Sequence, residues 1–110
     1  MNVVVPNKSG FEELFEETIT SSIRDLLGES SMRAILYHLS LDRLAKDPKV
    51  LDQKMRELLQ APAVLIEEVI IKDLFKRIDL LYAPTGTFNF EKYANAAKEV
   101  YMKQEKRHHA

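Results

Sequence analysis

Cysteine is absent from the sequence, which removes disulfides, thiolate metal sites and cysteine nucleophiles together. That absence fits a reducing compartment. Glycine occurs 3 times and proline 4 times, leaving room for long helical runs and little for the many tight turns of a β fold. No apolar run reaches the roughly 18 residues that a membrane span needs. The opening stretch Met1-Asn2-Val3-Val4-Val5-Pro6 lacks the basic start and long apolar middle of a signal peptide. A cytoplasmic protein with no membrane segment is expected.

A chain of 110 residues is expected to form one domain. Surface scaling gives roughly 6,200 Å² folded against roughly 18,000 Å² unfolded, enough burial for a core without covalent staples. Charged residues make up 30% and hydrophobic residues 45%, the balance of an ordinary globular chain. Net charge is −1, but residues 1–30 hold six acids against two bases while residues 31–60 hold four against six. These unequal segments either complement one another or form solvated faces.

Apolar spacing is the strongest signal. Phe11, Leu14, Phe15, Ile19, Ile23, Leu26 and Leu27 recur at three and four residues, predicting a first helix with Ser9 as N-cap, early acids along the positive end of its dipole, and Gly28 as its stop. Ser30 or Ser31 is placed to cap a second helix carrying Met32, Ile35, Leu36 and Leu39. Leu41 and Leu44 suggest a single helical turn pressed on the core. Asp47-Pro48 pairs an N-cap acid with a proline whose missing N–H is harmless in a first turn, so a third helix is predicted over 48–59, burying Leu51, Met55, Leu58 and Leu59.

Pro62 restarts the chain. The apolar residues Leu65, Ile66, Val69, Ile70, Ile71, Leu74, Phe75, Ile78 and Leu81 then cover more than half of a helix circumference, predicting a central fourth helix turned into the core. Its polar positions include Glu68 with Lys72 and Asp73 with Arg77, at the favourable four-residue spacing. After a turn-rich stretch, Asn89 has the character of an N-cap, with Phe88 and Tyr93 placed as a hydrophobic staple. A fifth helix follows with a thin face of Phe90, Tyr93, Ala94, Ala97 and Tyr101, expected to dock loosely and fray at its end. The prediction is an all-α, compact bundle of four to five short helices: a flexible arm over residues 1–10, a four-helix core over 11–82, and an additional C-terminal helix over 88–107.

Catalytic chemistry finds little foothold. A di-metal carboxylate bundle needs two Glu-x-x-His units and two further inward glutamates, and here Glu105 to His108 is the single such spacing. His38 is expected to be a boundary residue, and no serine sits in a Gly-x-Ser-x-Gly elbow. Gly10, Gly28 and Gly86 lie too far apart to cradle a phosphate. No cofactor or metal is expected, and the chain is read as a non-enzyme.

Two binding classes remain. Phe88, Phe90, Tyr93 and Tyr101 would suit a protein interface, including self-association, if the core does not absorb them. Alternatively Arg33, Arg43, Lys46 and Lys49 give the middle segment a positive character that a helix-turn-helix-like regulator would use on nucleic acid. Asp42, Asp47, Asp52 and Glu57 interrupt that patch, and the pI of about 6.3 lies below the basic values of such domains.

The segments Leu27-Gly28-Glu29-Ser30, Ala34-Ile35-Leu36-Tyr37-His38-Leu39, Asp47-Pro48, Leu58-Leu59, Ile66-Glu67-Glu68 and Leu74-Phe75 together give a pattern spanning residues 11–81. In these the chain resembles the small archaeal Nitrosopumilus output domain family, a helical module found alone or joined to signalling proteins and without an assigned activity. That family usually places a glycine-containing turn where this chain has Gln60-Ala61-Pro62-Ala63. The resemblance implies a binding or signal-output role in an archaeal cell and supplies no functional residues to carry over; Tyr37 and His38 match its pattern.

Overall fold

The structure, a computed structural model, describes residues 10–84 and 86–109, and side chains only as far as residue 106 at the C-terminal end. Ser9, the expected first cap, and all but the last residue of the expected arm lie outside the described residues. Six helices follow in order: α1 Gly10–Leu27, α2 Glu29–Leu39, α3 Leu41–Leu44, α4 Pro48–Leu59, α5 Ala63–Arg77 and α6 Phe90–His109. No strand occurs among the described residues. The all-α class holds, and the helix count exceeds four to five because the isolated turn at Leu41 and Leu44 is a helix in its own right.

The chain reverses at residues that accept a left-handed backbone. Gly28, at φ 92°, ends α1 through its N–H to the Arg24 carbonyl (2.8 Å) and starts α2 by accepting from Met32 N–H (3.0 Å). No side chain caps α2, so Ser30 and Ser31 are first-turn residues rather than caps. Their backbone is already helical because Gly28 makes the turn two residues earlier. Ser40 (φ 50°) separates α2 from α3. At α4 the expected cap forms, with Asp47 Oδ1 accepting from Val50 N–H at 3.4 Å. At α6, Asn89 Oδ1 accepts from Lys92 N–H at 3.0 Å, and the Phe88 and Tyr93 rings stack at 5.6 Å as a staple.

α5 ends sooner than its apolar run predicts. Asp79 (φ 57°) lets Leu80 N–H reach back to the Phe75 carbonyl at 2.8 Å, a Schellman-type stop that leaves Leu81 outside the helix and exposed. The Gln104 amide closes the same end by donating to the Ile78 carbonyl at 2.8 Å.

The core gathers around α5, which packs against α1, α4 and α6. Ile70, Ile71 and Leu74 meet Phe11, Phe15, Ile19 and Ile23 of α1 and Leu51 and Met55 of α4 in one buried cluster. α6 joins it through Phe90, Ala94 and Ala97, all buried, and the rings of Phe15 and Phe90 stack at 5.9 Å. The small alanines bring its backbone close to the bundle, so α6 is a core element over this stretch rather than a loosely docked one. Gly10 completes the joint, since a Cβ there would lie 2.5 Å from the Tyr101 hydroxyl.

The α4–α5 turn carries a strained residue. Gln60 sits at φ 59° and ψ −135°, a region that favours glycine because a Cβ crowds the backbone there. Replacing it by glycine, Gln60→Gly, is expected to raise stability by about 1 kcal/mol, the strain relief exceeding the entropy cost. A higher urea midpoint at unchanged slope checks this.

Candidate functional site

α5 is apolar on nearly every side, and three neighbouring helices cover only part of it. Positions 63, 66, 67, 70, 71, 74 and 75 turn inward and are buried. Leu65 and Val69, one turn apart, point outward at 68% and 36% exposure, and Lys72 and Lys76 continue the same exposed row. The expectation that this helix turns its apolar surface into the core therefore fails at Leu65 and Val69. Periodicity counts apolar residues on every face of a helix without showing which face a neighbour reaches.

Polar seams border the strip. On the α1 side Arg77 donates to Ser21 Oγ (2.8 Å), to Asp73 (3.1 Å) and to Glu17 (3.4 Å), while Ser22 donates to Asp73 at 3.5 Å. These contacts set α1 and α5 antiparallel. On the opposite side the Tyr82 hydroxyl donates to Glu68 (3.3 Å), and Lys72 Nζ stands 5.8 Å from the Tyr82 ring centre. Burial and the Glu68 carboxylate push the Tyr82 hydroxyl up to about 12. Tyr82 is thus a neutral donor at physiological pH, and Glu68 is engaged by it.

The sequence-derived interface residues lie elsewhere. Phe90 is 1% exposed, inside the core, while Phe88, Tyr93 and Tyr101 are half-buried and packed against it. Tyr93 is edge-on to Phe75 at 6.0 Å and Tyr101 tilts on Phe11 at 5.8 Å, so these rings chiefly bind α6 to the bundle.

The basic residues of the middle segment are all exposed, but they differ in their partners. Arg33 is paired with Glu29 at 3.2 Å, Arg56 with Asp52 at 2.8 Å and Lys54 with Glu57 at 3.9 Å. Arg43, Lys46 and Lys49 form no ion pair among the described residues and flank the α3–α4 corner. Tyr37 is 83% exposed, edge-on to His38 at 5.3 Å. His38 lines an open pocket of about 250 Å³ with Leu39, Lys54, Glu57 and Leu58. No group of three or more His, Cys, Asp or Glu is placed to hold a metal ion among the described residues, and the His108 side chain lies outside them.

One residue of chemical interest escapes sequence reasoning. Glu67 is fully buried, and neither carboxyl oxygen has a hydrogen-bond partner. Arg56 Nη2 stands 4.0 Å from Oε1, a charge contact too long for a hydrogen bond. Its spacing carried the signal: Glu67 falls in the inward row with Ala63, Ile70, Ile71 and Leu74.

Comparison with protein-family models, with curated proteins and with solved structures finds no match for this chain.

The strip is separable from the fold. Leu65→Ser is expected to change stability by less than about 0.5 kcal/mol, as for other exposed sites. Its buried neighbour is expected to behave differently, Ile66→Ala costing about 2–5 kcal/mol. Paired chemical denaturation curves check this, and equal losses would contradict the assigned faces.

Proposed function

We propose that this chain is a non-enzymatic helical interaction module, acting in the cytoplasm as a signal-output or adaptor domain. It engages a protein partner, a second copy included, through the outward strip of α5. The observation that carries this reading is the pair Leu65 and Val69, exposed one turn apart on a helix whose other apolar residues, the half-buried Val64 apart, are in the core. Anchors at that spacing are what a helix-in-groove contact uses. The row continues into Lys72 and Lys76, and Glu68 and Asp73 flank it on the same helix, so charges of both signs rim the apolar centre as at many protein interfaces. Kinship with the archaeal Nitrosopumilus output domain belongs to the same reading, resting on the residues quoted above.

A second reading, a small helix-turn-helix-like regulator, is favoured by one observation: Arg43, Lys46 and Lys49 present three cations at one corner with no acidic partner among the described residues. Phosphate contacts from such a corner would be strongly salt-dependent. The neighbouring pairs Arg33–Glu29 and Arg56–Asp52 hold the remaining positive charge in check.

The two readings separate by experiment. Co-purification of native partners, or light scattering over a concentration series, is expected to show association that Leu65→Glu with Val69→Lys abolishes while circular dichroism stays unchanged. Fluorescence anisotropy with duplex DNA at low salt is expected to show no binding. DNA binding lost on Arg43→Ala with Lys49→Ala, alongside association indifferent to the α5 changes, would replace the first reading by the second.

A further inference from the structure

Glu67 has no place in a surface-recognition role, yet it is the most costly side chain in the core. An ionised carboxylate buried without hydrogen bonds loses its hydration and gains nothing in return, so the closed bundle favours the neutral acid. The surroundings act in the same direction. Burial is the first cause that pushes Glu67 up to about 9, and the Asp52 carboxyl follows, since it favours a proton on Glu67 and adds a neighbouring negative charge. Arg56 opposes them but only in part, because its guanidinium is committed to Asp52 at 2.8 Å and merely passes Glu67 at 4.0 Å. Among the described residues Asp52 and Arg56, both on α4, are the charged groups that act on Glu67; α1 and α6, also packed against α5, add none there.

The position of this group matters as much as its chemistry. Glu67 lies on the α5 face that meets α4, one helical turn beyond the strained Gln60 turn, and α4 also carries the two charged groups that face it. The carboxyl is shut off from water in the packed bundle, and lifting α4, which carries the groups that face it, would admit solvent. We propose that Glu67, with Asp52 and Arg56, is a proton-operated latch between α4 and α5: the protonated acid closes the pair, and separation of the helices releases the proton to solvent.

The sign follows from linkage. In the opened state Glu67 titrates as an ordinary glutamate near 4.5, and in the closed state it keeps its proton to about 9. Between those limits the open form binds fewer protons, so closure weakens as pH rises, by up to tenfold in the opening constant per pH unit. Below about 4.5 this contribution is fully present, and above about 9 it is spent.

Hydrogen exchange of α4 and α5 amides between pH 6 and 8 tests the latch. After correction for intrinsic base catalysis, protection in the unmodified chain is expected to fall about tenfold per pH unit. In Glu67→Gln, which keeps the shape and removes the titration, it is expected to stay level. Equal pH slopes in the two proteins would overturn the proposal. A carbon-13 titration of the Glu67 carboxyl in the unmodified chain decides the matter even if the variant does not fold: a midpoint well above 7 supports the latch, and one near 4.5 refutes it.

Discussion

The burial of α5 is the constraint from which the rest of the architecture follows. Ile70, Ile71 and Leu74 are without solvent contact because α1, α4 and α6 each take one side of this helix. Fully burying an aliphatic side chain is worth roughly 1.5–3 kcal/mol. A few such residues on one element therefore equal the net stability expected of a domain this size. The other helices find most of their apolar contact on α5 or on a helix already seated there. α1 runs antiparallel to it along the Arg77 and Asp73 contacts, α4 folds back on it across the Gln60 turn, and α6 closes the remaining side with two alanines and a stack of rings.

Three neighbours do not surround a helix that is apolar on every side, and the remainder defines the functional proposal. Leu65 and Val69 stay outside, bounded by polar contacts from Arg77 on one flank and Tyr82 on the other. The inward side carries the opposite anomaly, a carboxyl among hydrocarbon. Both departures from the pattern sit on the same helix, two positions apart. An event at the α4 side of α5 therefore lies within one helical turn of the strip that would meet a partner.

Much of this was legible in the amino-acid order, and the failures have physical causes. Asp47-Pro48 and Asn89 announced their helices because a cap is a local hydrogen bond that needs no tertiary partner. Gly28 was legible for the same reason, as a left-handed φ comes at low cost to glycine. Ser40, Gln60 and Asp79 take positive φ without being glycine, and at Asp79 this hid the stop of α5, which the apolar run had carried on to Leu81; the end of α4 at Leu59 was legible all the same. Helix identity emerged from spacing, but which side of α5 is covered depends on contacts between residues more than 50 positions apart, such as Ser22 and Asp73. Glu67 was given no role from the sequence, since the groups that face it, Asp52 and Arg56, come from another helix. Phe90 looked available for a partner until the stack with Phe15 placed it inside.

Native-state hydrogen exchange at a single pH, resolved by residue, tests the organising role of α5 most directly. If α5 is the hub, the amides of Ile70, Ile71 and Leu74 exchange only through global unfolding, with the highest protection in the chain and a denaturant dependence equal to that of the whole molecule. Lower protection at those amides than in α1 or α6, or their release in a partial opening that leaves the other helices protected, would contradict the account.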